Sequence, residues 1–188
     1  VIWFDFSNVD NFIGKDGWNQ YRLKKFINQL TLGKFLGNKR VILAYQQPAG
    51  TAGGTATTGA FTTYPINTIL QNDLSIAAIS SNTWILPAGT YYLERGWLEQ
   101  GGTGNFTCRL FNITDSTTIL TGSLNAAPSQ TFWVFTELNY GTFTIPAGKV
   151  IAFQYYSTST AGIGDLGPGT NGSGQANTFG LISFVKIG

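Results

Sequence analysis

From residue 60 onward, short runs of β-branched and aromatic residues are separated by turn formers. The runs are FTTY, NTILQ, SIAAIS, TWIL, TYYLERGWLEQ, NFTCRLFNIT, TTILTGS, TFWVFTEL, GTFTI, KVIAFQYYST and NTFGLISFVKI, and PAG, GGTG, TDS, APS and NYG break them apart. Strand-forming runs at this spacing predict an antiparallel β-sandwich or jelly roll and argue against a parallel α/β sheet. Two of the longest runs follow the same tripeptide, in ILPAGTYYLERGW (85–97) and TIPAGKVIAFQYY (144–156). Proline fixes φ and carries no N–H, so Pro87 and Pro146 suit a strand end or a turn, not a central ladder position. Gly89 and Gly148 are expected to supply a positive φ at these turns, and Gly96 to mark a β-bulge.

The first 47 residues have another period. In DGWNQYRLKKFINQLTLG, Leu23, Phe26, Ile27 and Leu30 recur at three- and four-residue steps, which predicts one short amphipathic helix. Asp16 is placed to cap its start and Gly33 to stop it. A helix this short needs a surface to pack on. Residues 48–59, PAGTAGGTATTG, read as a Gly/Thr/Ala-rich linker. The expected organisation is therefore an N-terminal arm (1–47), a linker (48–59) and a β domain (60–188).

Composition sharpens this picture. Only 11% of residues are charged and 14% are aromatic, which excludes a disordered chain and fits a β domain with a weakly charged surface. The net charge of +2 is unevenly spread: residues 1–40 hold seven bases and three acids, the remainder four bases and six acids. The single cysteine, Cys108, allows no intrachain disulfide and alternates with Phe106 and Leu110, as a small buried hydrophobe would. No apolar run approaches the ~20 residues of a membrane-spanning helix, and the opening VIWFDFSNVD is too short and acidic for a secretory leader.

Candidate chemistry is sparse. The chain has no histidine, which removes Ser-His-Asp and Cys-His catalysis and the commonest zinc ligand. Glu94 and Glu99 are five residues apart and on a regular strand would face opposite sides, so they make no carboxylate pair for glycoside hydrolysis. Asp115, in the turn TDST, is expected to cap backbone donors. GIGDLG (162–167) matches a dinucleotide fingerprint, but the PGTNGSGQAN that follows cannot form the helix such a site needs. The long loop 157–177 offers Asp165, Asn171 and Gln175 as outer contacts, with too few acids for calcium. Arg22, Lys24 and Lys25 could meet phosphates, but interspersed acids favour a solvated helix face over nucleic-acid binding. No enzyme activity, cofactor, metal, nucleic acid or membrane partner is expected.

The stretch ILPAGTYYLERGWLEQGGTGNFTCRLFNITDSTTILTGS and the ending TFGLISFVKIG resemble the trimeric jelly-roll domains of the C1q and tumour necrosis factor class, in the form carried by bacteriophage structural proteins. The likeness covers about residues 60–188. It implies a homotrimer, with Trp84, Tyr91, Trp97, Phe132, Trp133, Phe153, Tyr155 and Tyr156 divided between core and trimer interface. It also implies a virion structural role as a capsid decoration, or cement, protein on the phage shell. The partner would then be the major capsid protein, and the anchor candidates are Trp3, Phe4, Phe6, Trp18, Arg22, Lys24, Lys25, Phe26 and Leu30. The second reading is the receptor-binding tip of a tail fibre or spike, with loop 157–177 touching host surface glycan or protein.

Overall fold

The computed structural model describes residues 39–76, 79–102, 104–127, 133–158, 166–167 and 174–188, with Trp133 described by its backbone alone. The predicted helix, all nine anchor candidates, Asp165 and Asn171 lie outside the described residues; Gln175 lies within them and is exposed. The chain divides between Asn38 and Lys39.

From Lys39 onward the described chain is an all-β antiparallel sandwich. Its strands are β1 (Lys39–Gln47), β2 (Thr62–Thr63), β3 (Thr68–Asn72), β4 (Trp84–Leu86), β5 (Gly89–Gly101), β6 (Gly104–Asn112), β7 (Thr117–Thr121), β8 (Asn125–Ala127), β9 (Trp133–Glu137), β10 (Thr142–Ile145), β11 (Lys149–Ser157) and β12 (Asn177–Lys186). The first sheet runs β10-β5-β12-β1-β3, with β9 also on β5. The second runs β2-β11-β6-β7, with β4 on β11 and β8 on β6.

Period-two alternation turns one side of each strand into the core. The first sheet contributes Val41, Leu43, Tyr91, Leu93, Leu98, Ile182 and Phe184, and the second Trp84, Leu86, Cys108, Leu110, Ile151, Phe153 and Tyr155. Aromatic rings bridge the layers: Phe184 lies 5.7 Å from Phe143 in an edge contact and 6.2 Å from Trp84. Tyr64 is wholly buried among Tyr45, Phe153 and Tyr155 and donates its hydroxyl to Phe179 O at 2.7 Å. Burial therefore pushes its phenol well above the usual range.

Several expectations from sequence need correction. Residues 39–47, assigned to the arm, form a strand between β12 and β3. Their apolar run Val41-Ile42-Leu43-Ala44 has buried positions that no detached arm would hold. The supposed linker is pinned to the sandwich as a strap. Gly53 N–H donates to Gly167 O at 2.9 Å, Leu166 N–H to Gly54 O at 3.2 Å, and Tyr45 Oη–H to Gly53 O at 2.7 Å. Thr57 N–H donates to Tyr155 Oη at 2.8 Å. SIAAIS forms no strand among its described residues, although Ile76 is buried and held by the Asn72 side chain.

The two PAG corners also differ from one another. Gly89 has φ 156° and sits where a Cβ would strike the Lys186 side chain, whereas Gly148 needs no positive φ. The bulge in β5 falls at Glu94, not Gly96: Ser183 faces Arg95 and the next residue, Phe184, faces Leu93. Gly96 instead makes room for the Leu138 side chain.

Candidate functional site

The displaced bulge reorganises the outward side of the first sheet. One extra residue shifts the alternation, so Glu94 and Glu99 share the outward side instead of opposing each other. They are still no catalytic pair, because Glu94 is committed elsewhere. It accepts from Arg40 Nη2 at 2.7 Å, with an ion pair across β12, and from Ser183 Oγ at 2.9 Å. Burial pushes the Glu94 carboxyl upward, but the hydrogen bonds from Arg40 and Ser183 and the Arg40 charge outweigh it, leaving it below its ordinary range. Glu99 has no such compensation, and burial raises it.

The sign of the Glu94 shift gives a testable pH dependence. A depressed carboxyl adds stability that is fully present above its unfolded value of about 4.3 and is lost as pH falls through its lower folded value. Between about pH 6 and pH 3, Glu94→Gln should lose less stability than the parent, as read from urea midpoints at each pH. Equal acid sensitivity in both proteins would remove the pair from the account.

Beside this ion pair lies the hollow of the sheet, about 300 Å³, lined by Arg95, Gly96, Trp97, Phe135, Glu137 and Tyr140. The strand register creates it: Trp97 on β5 faces Glu137 on β9, and Glu99 faces Phe135. Trp97 and Phe135 meet edge to face, with centroids 5.6 Å apart. Phe135 is 56% exposed, Tyr140 60% and Tyr92 40%. Among the described residues the Arg95 and Glu137 side chains have no hydrogen bond or ion pair. This face thus combines large, solvent-exposed rings with unspent polar groups, the composition of an association surface.

Of the eight aromatic residues named from sequence, six have described side chains. Trp84, Tyr91, Phe153 and Tyr155 are core, while Trp97 and Tyr156 are half-buried on outward faces. Phe132 lies outside the described residues. Sequence reading missed Tyr92, Phe135 and Tyr140; Phe135 was detectable as the outward member of TFWVFTEL alternation.

The remaining candidates are structural. Cys108 is buried, and burial pushes its thiol far above the thiolate range, so it packs as a hydrophobe. Asp115 does not cap backbone donors. The Asn112 side chain does that, accepting from Asp115 N–H at 3.1 Å, while the Asp115 carboxylate takes Lys149 Nζ at 2.7 Å and Asn112 Nδ2 at 2.8 Å. The Lys149 hydrogen bond is the main reason the Asp115 carboxyl is lowered. No cluster of three His, Cys, Asp or Glu side chains among the described residues could hold a metal ion.

No protein-family model matches this chain, and no curated protein matches it in sequence. Its folded shape does have counterparts among solved structures. The globular domain of zebrafish complement 1qA protein superposes with a TM-score of 0.52 at 10% identity, covering 80% of this chain and 98% of that one. Murine APRIL at pH 8.0 gives 0.49 at 13% identity, over 79% of this chain and 100% of that one. At such identity the likeness speaks to the fold alone, and the superposition on the complement 1qA domain makes that fold a C1q-like jelly roll.

Proposed function

We propose that this chain is a non-enzymatic, homotrimeric structural protein of a bacteriophage virion, a decoration protein held on the capsid by its N-terminal segment. The observation that carries the self-association is the outward face of the first sheet, where Trp97, Phe135 and Tyr140 line a hollow with Arg95 and Glu137, both unpartnered among the described residues, and where Tyr92 is also exposed. Exposed rings of this size, rimmed by charge, are stabilised by burial against another protein surface. The C1q/TNF-like jelly roll is consistent with a second and third copy as that surface. The phage assignment rests on the RLFNITD and TFGLISFVKIG sequence likeness.

The corrected boundary shortens the candidate anchor to residues 1–38. Lys39 and Arg40 belong to β1, and Arg40 is spent on Glu94. Residues 1–38 then hold five bases against three acids, so attraction to an acidic shell is weaker than the 1–40 count implied. The apolar anchor candidates Trp3, Phe4, Phe6, Trp18, Phe26 and Leu30 therefore carry the docking in this proposal, and three arms on one trimer multiply their effect through local concentration.

Sedimentation equilibrium should give three times the 20.3 kDa monomer mass. Trp97→Arg should shift the population to monomer while leaving the circular dichroism spectrum of the sandwich intact; a variant that stays trimeric would remove this face from the interface. Deleting residues 1–38 should leave a folded trimer that no longer coats capsids. A truncated trimer that still decorates shells would overturn the anchor, and a copy number in purified virions matching the tail instead of the shell lattice would favour the fibre reading.

A further inference from the structure

The outward side of the second sheet carries a feature that self-association through the first does not use. In RLFNITD, alternation sends Leu110 and Asn112 inward and leaves Arg109 and Phe111 outward. The Arg109 guanidinium packs over two rings, its carbon 3.8 Å from the Phe61 centroid and 4.1 Å from that of Phe111. Phe61 in turn rests against Tyr156, 5.5 Å away, so an aromatic–guanidinium column of Tyr156, Phe61, Arg109 and Phe111 crosses the sheet.

This arginine is held in place but left incomplete. Its Nε–H donates to Gln154 Oε1 at 2.8 Å and its Nη1 to Thr118 Oγ1 at 3.3 Å, while Nη2 has no partner among the described residues. Among the described residues Arg40 has Glu94 and Lys149 has Asp115, but no carboxylate pairs with Arg109. Partial burial without a counter-charge lowers its pKa. With two rings packed against the guanidinium carbon, its Nη edge is the part left to bind. A planar fork fixed by stacking and by two side-chain acceptors has little orientational freedom left to lose on meeting a carboxylate.

We propose that this column is a binding site for an acidic sugar residue of a glycan, with the sugar carboxylate on the Nη edge of Arg109. The surroundings favour a saccharide over a protein carboxylate. Phe61, 37% exposed, and half-buried Tyr156 give a pyranose ring an apolar flank, while Thr107 and Thr118 give its hydroxyls partners.

The test is an NMR titration of the full chain with D-glucuronate, D-glucose and acetate in parallel. Glucuronate should shift the Arg109 Nε–H and the Phe61 and Tyr156 ring signals, with glucose and acetate each about tenfold weaker. Arg109→Lys keeps the charge but loses the fork and should weaken glucuronate about tenfold; Phe61→Leu, at an exposed position, should weaken it while sparing acetate. Core signals such as those of Phe184 report that each variant is folded. Equal shifts with glucose would overturn the role of the carboxylate. Equal shifts with acetate would overturn the role of the sugar, and no shift at these positions would leave the column a packing device. None of these outcomes depends on the oligomeric state.

Discussion

Phe184→Ala should lower the stability of the sandwich by about 3–5 kcal/mol, the range for emptying a buried aromatic site. Phe184 is fully buried on β12, where it meets Trp84 from the opposite sheet and Phe143 from β10. Phe143 also stacks on Tyr91 at 5.6 Å, so these rings form one unit across the two layers. Neighbouring rings cannot swing into the space without leaving their own contacts, so most of the cavity should persist. Urea unfolding should show a lower midpoint with an unchanged slope. A loss below about 1 kcal/mol would mean that the ring unit relaxes freely, against the packing described.

Gly53→Ala should cost about 2–3 kcal/mol although it adds only a methyl group. A Cβ at this position would lie 2.1 Å from Leu166 O and 2.5 Å from Leu166 C, both backbone atoms that cannot rotate aside. The strap must lift, and the bonds from Gly53 N–H to Gly167 O, from Leu166 N–H to Gly54 O and from Tyr45 Oη–H to Gly53 O loosen together. The expected signature is local as well as global: faster amide exchange at Gly53 and Leu166 and new protease cleavage within 48–59. Gly54→Ala is a useful contrast, because a Cβ there meets nothing within 4 Å and the cost comes from its φ of 93° alone.

The long strands were legible because their sequences alternate. TYYLERGWLEQ, NFTCRLFNIT and KVIAFQYYST each became a strand near its expected place, and Cys108 fell between Phe106 and Leu110 on the core side. β1 was not legible, because Lys39 and Arg40 join it to a basic segment and its apolar run has no turn signal before it. The strap was misread for a related reason. PAGTAGGTATTG has no side chains to advertise burial, and its docking depends on backbone approach that only small residues permit.

Parity errors had a different cause. Nothing in TYYLERGWLEQ marks Glu94 as the bulged residue, since the bulge is set by Ser183 and Phe184 on a strand almost ninety residues later. The two outward faces were half visible. Alternation puts Arg109 and Phe111 outside, but unbroken alternation from Tyr91 and Leu93 would put Trp97 inside, and only the bulge turns it outward. The partners that turn them into sites, Phe61 for Arg109 and Phe135 for Trp97, come from distant segments whose register no local pattern states.

The pairing of β1 with β12 bears on how the protein is made. Lys39 faces Lys186 and Val41 faces Phe184, so the earliest and latest strands of the sandwich are neighbours in the middle of one sheet. On a translating ribosome, β1 and β5 are both synthesised long before the strand that joins them, and the sheet stays open until residues 177–186 leave the exit tunnel. During that interval the edges of β1 and β5 are unpaired and prone to wrong partners, including nascent copies on the same message. Slower synthesis should prolong that exposure, and joining residue 188 to residue 39 through a short link, with new ends opened in an exposed turn, should shorten it.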